Sequence, residues 1–163
     1  MTNAHDGIEQ LGRGLNWEDT PAGFAFRTSA RTITEADLMA FVTLCGFTEP
    51  LFTDARHAAE GNYEGRLVPG ALTFAMAEGL VLQTNALHGT WLAFMHMELD
   101  VRRPVYVGDT IDVVVEITES RASSRPGRGV VSARNTVYNQ RGEDVLRYDP
   151  IRLIRGRDFE PGS

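Results

Sequence analysis

The feature that most constrains the fold is a helix-length segment, residues 70–84, that has almost no polar face. Apolar side chains occupy most of its positions, so the predicted helix has no hydrophilic stripe to turn toward solvent. A helix of this kind is expected to be buried all round, which requires other elements to surround it. Its apolar residues are Ala71, Leu72, Phe74, Ala75, Met76, Ala77, Leu80, Val81 and Leu82.

The second half of the chain has a period of two, which is typical of half-buried strands. The alternation is clearest from Ile111 to Thr118, where Asp112 and Glu116 separate apolar residues. One apolar helix followed by four or five antiparallel strands indicates an α+β fold in which a sheet wraps around the helix. A generic α+β sandwich is the alternative that the pattern leaves open. The other strand-like runs are residues 91–101, 129–139 and 143–155.

Two further helices are predicted before the apolar one. Thr34 and Asp37 resemble a capping box, which would begin a helix, and Gly46 would end it. A shorter helix is expected to begin near residue 53 or 54 and to end at Gly61. The longer of the two has apolar residues at helical spacing, namely Leu38, Phe41, Val42 and Cys45.

Length and composition indicate one domain. The chain has 163 residues, of which 42% are hydrophobic and 23% are charged, as is ordinary for a globular protein. We expect a single domain over residues 1–163, with loose tails at about residues 1–14 and 157–163. The formal charge of −6 disfavours a nucleic-acid partner, because such proteins usually carry a basic stripe.

The absence of Lys and the presence of a single Cys exclude several kinds of site. All sixteen basic residues are Arg, which rules out Schiff-base chemistry and leaves Arg forks or backbone N–H groups to bind a ligand phosphate. Cys45 is the only cysteine, so a cysteine-rich zinc cluster is excluded and no metal is expected. No apolar run approaches the ~20 residues of a membrane span, and residues 1–6 do not resemble a secretion signal. We therefore expect a cytoplasmic protein without a membrane partner.

Two segments next to the apolar helix carry a family resemblance. Residues 46–54 read G-F-T-E-P-L-F-T-D, and residues 66–72 read R-L-V-P-G-A-L. Together they resemble the active-site region of the MaoC-like (R)-specific enoyl-coenzyme A hydratases and dehydratases, which are hotdog-fold enzymes. In that family the first segment usually reads G-D-x-N-P-[IL]-H-x-D. Here Phe47 stands at the place of the Asp and Phe52 at the place of the His.

The resemblance covers residues 12–155, because three weaker motifs follow at matching spacings. They are T-E-A-D at residues 34–37, R-R-P-V-Y-V-G-D-T at residues 102–110, and N-Q-R-G-E at residues 139–143. The resemblance implies a hotdog fold, an antiparallel sheet wrapped around a long central helix. So short a sheet would leave a long edge strand exposed, and a two-fold homodimer is expected to cover it.

The resemblance implies an acyl-coenzyme A thioester as ligand and no separate cofactor, since coenzyme A is part of the substrate. Gly70 and Ala71 would bind it at the start of the central helix, where the Gly70 N–H can polarise the thioester carbonyl. The alternative is that the N-terminus of the central helix binds no ligand and that Pro69 simply begins a buried helix. Phe47 and Phe52 either line the acyl pocket or pack in the core.

The remaining candidate residues have weaker signals. Glu49 is the one carboxylate within the first motif before Asp54, and in a desolvated pocket it would act as a general base. A solvated loop position is the alternative for Glu49. Tyr63 and Arg66 are placed to touch the acyl chain or the pantetheine arm, although Arg66 would equally form a surface ion pair. His96 either faces the pocket or is a satisfied strand histidine.

Three functions follow from these residues. The first is hydration or dehydration of the 2,3-bond of an acyl-coenzyme A, with a degenerate acid-base site. The second is non-catalytic, namely binding of an acyl-coenzyme A or structural support of an active hotdog subunit. The third is thioester hydrolysis with Glu49 or Asp54 as the base. The two Phe replacements favour the second function over the first.

Overall fold

Four α-helices and six strands make up the described part of the chain, residues 12–61 and 63–161 of a computed structural model. A short 3-10 helix, Trp17–Asp19, precedes the first strand. The helices are α1 (Glu35–Cys45), α2 (Pro50–Thr53), α3 (Ala55–Glu60) and α4 (Gly70–Gln83). The strands are β1 (Ala25–Arg27), β2 (Arg31–Thr32), β3 (Trp91–Val101), β4 (Thr110–Ala122), β5 (Arg128–Asn139) and β6 (Asp144–Arg155).

The six strands form one antiparallel sheet that packs against α4. The strand order is β1-β4-β5-β6-β3, and β2 also pairs with β4. The inward side chains of β4, β5 and β6 form the hydrophobic core together with α4 and α1. This is the hotdog arrangement, so the prediction of an antiparallel sheet around a central helix is confirmed. The fully buried core side chains include Ile33, Leu38, Ile111, Val113, Val137 and Val145.

Helix α4 is buried against the sheet on one side only. Leu72, Leu80 and Val81 are almost completely buried. Ala71 and Leu82 are exposed, however, so the expectation of burial all round is wrong for the single chain. The physical reason is that one six-stranded sheet covers one face of the helix and leaves the opposite apolar face open.

Strand β3 forms one end of the sheet and has an exposed apolar surface. It pairs with β6 along one edge, and no strand of the described chain pairs with its other edge. Several of its large hydrophobic side chains are exposed, and we call them the β3 apolar surface. They are Leu92, Phe94, Met95, Leu99 and Val101.

The predicted N-terminal helices are found, with one correction. The Thr34 side chain accepts a hydrogen bond from the Asp37 N–H, and the Asp37 carboxylate accepts one from the Thr34 N–H. Gly46 ends α1 in the left-handed conformation at φ 70°. The short helix predicted near residues 53–61 is two helices, α2 and α3. Asp54 separates them because its backbone is extended, and its carboxylate caps α3 by accepting from the Arg56 N–H at 2.9 Å.

The chain ends are better anchored than predicted where the structure describes them. The Gly14 N–H donates to the His88 carbonyl at 2.7 Å. At the other end Arg157 pairs with Asp19 at 2.5 Å, and Arg155 stacks over the Phe159 ring. The C-terminal tail therefore begins after these contacts, while most of the predicted N-terminal tail and residues 162–163 lie outside the described residues.

The described residues contain neither a membrane-spanning helix nor a cluster of metal-ligating side chains. No helix within residues 12–61 and 63–161 is long and apolar enough to cross a membrane. Over the same ranges, no three His, Cys, Asp or Glu side chains are grouped so as to hold a metal ion.

Candidate functional site

A cavity of about 300 Å³ lies beside the N-terminus of α4. Its walls come from α2, the segment before α4, the first turn of α4, the turn that follows β3, and the start of β6. Most of the lining is apolar, which suits a ligand with a hydrocarbon portion. The lining residues are Phe52, Tyr63, Leu67, Val68, Gly70, Thr73, Val101, Arg102, Arg103, Pro104, Val105, Val145 and Leu146.

Gly70 contributes the start of α4 to this cavity. Pro69 is the N-cap residue, and no side chain caps this end. The first-turn N–H groups of Gly70 and Ala71 have no carbonyl partner within the helix, so they are available to an oxygen atom. A Cβ atom at position 70 would lie 2.9 Å from the Val101 Cγ2, so a side chain here would crowd Val101. Ala71 is exposed and does not line the cavity.

The two Phe residues of the first motif occupy different places. Phe52 lines the cavity. Phe47 lies behind it, with ring centroids 6.1 Å apart, and makes an edge contact with Phe41 at 5.1 Å. Both pack against the hydrophobic core, and neither side chain can carry a proton. Phe52 therefore forms part of the cavity wall, and Phe47 packs behind it against Phe41.

Three other sequence candidates lie outside the cavity wall. Glu49 is exposed at the N-cap position of α2, so it has no desolvated surroundings in the single chain. Arg66 donates to both carboxylate oxygens of Glu35, at 2.8 and 3.4 Å, which is the surface ion pair among its alternatives. His96 is exposed on β3. Tyr63, in contrast, lines the cavity.

The hydrogen bonds that Asp54 accepts from Arg56 make its carboxylate a weak base. The Arg56 side chain donates to both of its carboxylate oxygens at 3.1 and 2.9 Å, and the Arg56 N–H donates as well. These hydrogen bonds, those of the Arg56 side chain first, lower the pKa of Asp54 to about 2. A carboxylate with so low a pKa has little tendency to take up a proton.

An arginine pair at the cavity was missed by the sequence reasoning. Arg102 and Arg103 both line the cavity and share the carboxylate of Asp144. Arg102 also pairs with Asp100 at 3.1 Å. The available signal was the adjacent Arg pair at the start of the R-R-P-V-Y-V-G-D-T motif.

A buried polar cluster on α4 was missed as well. Glu78 accepts from the Arg152 Nη2 at 2.6 and 2.8 Å and from the Tyr148 hydroxyl at 2.9 Å. Burial, and then the Glu78 carboxylate, raises the pKa of the Tyr148 phenol above its ordinary value, so it remains a donor. With the buried Asn135 beside Tyr148, these four residues form what we call the α4 polar cluster. The signal was one carboxylate within an otherwise apolar helix.

The sheet around α4 defines a hotdog-fold domain with a mainly apolar cavity at the start of its central helix. The MaoC like domain family matches residues 19–139. The chain therefore belongs to this family.

Both curated proteins and solved structures are similar to this chain. It is 28% identical over 116 residues to a 3-hydroxybutyryl-CoA dehydratase of Methylorubrum extorquens, covering 71% of this chain and 72% of the relative. It is 28% identical over 107 residues to an (R)-specific enoyl-CoA hydratase of Aeromonas caviae, covering 66% and 75%. A monoamine oxidase regulatory protein of Archaeoglobus fulgidus has a solved structure with 31% identity, a TM-score of 0.81, and coverage of 88% and 96%.

Proposed function

We propose that this protein binds an acyl-coenzyme A thioester in the cavity beside α4, with hydration or dehydration of the 2,3-bond as its reaction class. The observation that carries the proposal is Gly70 at the uncapped N-terminus of α4, lining an otherwise mainly apolar cavity. The names of the two curated relatives, a 3-hydroxybutyryl-CoA dehydratase and an (R)-specific enoyl-CoA hydratase, support the same ligand class.

The chemistry that this geometry supports is carbonyl polarisation. A thioester oxygen at the end of α4 would accept from the Gly70 N–H and would also be stabilised by the positive end of the helix dipole. This recognition needs no ionisable side chain. It is therefore compatible with Phe at both positions where the family usually has its Asp and His.

Titration of a saturated acyl-coenzyme A tests the proposal, because a saturated chain binds without reacting. We expect butyryl-coenzyme A to bind with heat release in a calorimeter, and free coenzyme A to bind more weakly. If the folded protein binds no acyl-coenzyme A at millimolar concentration, the thioester site is wrong and the domain acts as a scaffold.

A second candidate function is binding without catalysis, either alone or beside an active hotdog subunit. The packing of Phe52 in the cavity wall and Phe47 behind it favours this candidate, since the pair replaces acid-base groups with apolar surface. Thioester hydrolysis gains no such support. Glu49 is exposed, and the pKa of Asp54 is lowered to about 2.

We expect Arg103 to help bind the phosphates of coenzyme A. Half of its side chain is exposed at the cavity, and the chain has no Lys for the purpose. Arg103→Ala should weaken binding of butyryl-coenzyme A by roughly fivefold, the order of an exposed charge interaction, and less at high salt. Arg121→Ala is the control, because Arg121 is equally exposed and pairs with Glu119 away from the cavity. Equal affinities of both variants would exclude Arg103 from phosphate binding.

We also propose a homodimer in which the β3 apolar surface is covered by a second copy. An unpaired edge strand and exposed apolar side chains are together unfavourable in a monomer. Met95 is 56% exposed in the single chain, so Met95→Glu should place a charge in the interface and shift sedimentation from dimer to monomer at micromolar concentration.

Leu44→Glu provides the matched control for the dimer. Leu44 is 85% exposed on α1, and a charge there should leave the dimer intact. A stable monomer of the unmodified protein, or an unchanged dimer in the Met95 variant, would contradict the proposed interface.

A further inference from the structure

Thr73 contributes a buried polar side chain to the wall of the cavity beside α4. It lines the cavity one turn after Gly70, and only 2% of the residue is exposed. Its hydroxyl donates to the Pro69 carbonyl oxygen at 3.3 Å, a bond that Thr side chains often make to the residue four positions earlier in a helix. That bond uses the single proton of the hydroxyl, so the lone pairs of the Thr73 Oγ1 remain as acceptors.

The apolar side chains that share this cavity offer a ligand hydroxyl no hydrogen bond. Val68, Val105 and Leu146 line the cavity and are almost completely buried, and Phe52 stands where the family usually has a polar residue. A hydroxyl group that moves from water to such a wall loses free energy unless it finds a partner there. Thr73 is suited to this role because its free lone pairs can accept from the ligand.

The spacing between Gly70 and Thr73 suits an acyl thioester with a polar group at carbon 3. Side chains three residues apart on a helix share a face at about 5–6 Å, and each tilts toward the helix N-terminus. A carbonyl that accepts from the Gly70 N–H has carbon 3 of its chain only two carbon–carbon bonds away. Tyr63 also lines the cavity, but it is only partly buried and lies before α4, so the helix does not fix its place relative to Gly70.

Resting on the proposed acyl-coenzyme A site, we propose that Thr73 determines specificity by accepting a hydrogen bond from a hydroxyl group on carbon 3 of the acyl chain. The thioester carbonyl accepts from the Gly70 N–H, and the acyl carbons follow the first turn of α4. The ligand class is a 3-hydroxyacyl-coenzyme A. A plain acyl chain still binds, because the Thr73 hydroxyl then keeps its bond to the Pro69 carbonyl, and the preference is therefore moderate.

Calorimetric titration of matched ligands tests this proposal on the unmodified protein. The ligands are butyryl-coenzyme A and the two enantiomers of 3-hydroxybutyryl-coenzyme A. We expect one enantiomer to bind about tenfold tighter than the plain chain, the equivalent of one well-made hydrogen bond. Equal affinities of all three ligands, or tighter binding of the plain chain than of both enantiomers, overturn the role of Thr73 while the thioester site stands. Absence of binding by all three ligands overturns both.

Thr73→Val assigns the preference to the hydroxyl. The change keeps the shape of the side chain, and the Pro69 carbonyl keeps its bond from the backbone N–H of residue 73 at 3.0 Å, so no acceptor is left unpaired. The variant should lose the preference for the hydroxylated ligand and bind butyryl-coenzyme A at least as well as before. Thr73→Ser retains a hydroxyl and should retain the preference. A folded Thr73→Val protein with the full preference overturns the proposal.

Tyr63→Phe is the matched control for the loss of a hydroxyl at this cavity. Tyr63 lines the same cavity, and the change removes its hydroxyl while keeping the ring. The preference for the hydroxylated ligand should be unchanged in this variant. Its loss would assign the recognition to Tyr63 and overturn the assignment to Thr73.

Discussion

Hydration of crotonyl-coenzyme A by the unmodified protein is expected to be very slow or absent. The family's reaction needs one group to activate water and another to deliver a proton, and Phe47 and Phe52 can do neither. Each such group usually contributes about 10²–10⁴ in rate, so the loss of both should be evident in an absorbance assay. A relative with the complete Asp and His pair provides the positive control.

The variants Phe52→His and Glu49→Gln test the expected absence of hydration further. Phe52→His alone should not restore hydration, because the second proton carrier at position 47 is still missing and Phe47 lies in the aromatic packing with Phe41. Turnover at the family's ordinary level would contradict the prediction. Glu49 would then be the first candidate for the general base, and Glu49→Gln should abolish that activity if Glu49 is the base.

Gly70→Val is expected to weaken binding of a saturated acyl-coenzyme A by at least about tenfold, the equivalent of about 1.4 kcal/mol. A Cβ at this position would lie 2.9 Å from the Val101 Cγ2 and would crowd the cavity where the thioester oxygen meets the helix N–H. Phe52→His should leave binding largely intact, since the backbone donor is unchanged. Calorimetric titration of the three proteins measures the difference.

Two control variants separate a lost donor from a damaged helix. Gly79→Ala changes a glycine of the same helix whose Cβ would meet nothing within 4 Å, so binding should be unaffected. Val101→Ala removes the neighbour that a Cβ at position 70 would strike, and Gly70→Ala combined with it should recover affinity relative to Gly70→Ala alone. A folded Gly70→Val protein that binds as well as the unmodified one would exclude the helix N-terminus from recognition.

The hydration assay and the binding titration together distinguish hydration from binding without catalysis. Binding without hydration is the outcome expected of an acyl-coenzyme A binder with a degenerate site. Hydration that depends on Glu49 would instead indicate a rearranged catalytic site. The oligomeric state bears on both results, because the β3 apolar surface, which includes the cavity residue Val101, is proposed to be covered by a second copy.

The sequence by itself determined the longer helices and strands and the family, but not the short strands β1 and β2. Strong local signals were sufficient for this: the cap at Thr34 and Asp37, the stop at Gly46, the nearly continuous apolar run of α4 and the alternation along β4 all act over a few residues. Helix boundaries that depend on the backbone conformation of a single residue were less predictable. The extended backbone at Asp54, which splits one expected helix into α2 and α3, is an example.

The tertiary structure decided which side chains meet, because that depends on contacts between residues far apart in the chain. Arg103 reaches Asp144 across 41 positions, and Tyr148 reaches Glu78 across 70. Local periodicity contains no information about such pairs, nor about which Phe of the motif faces the cavity. Glu78 therefore passed unnoticed within an apolar helix, and only the packing of α4 against β6 brought it together with its buried polar partners.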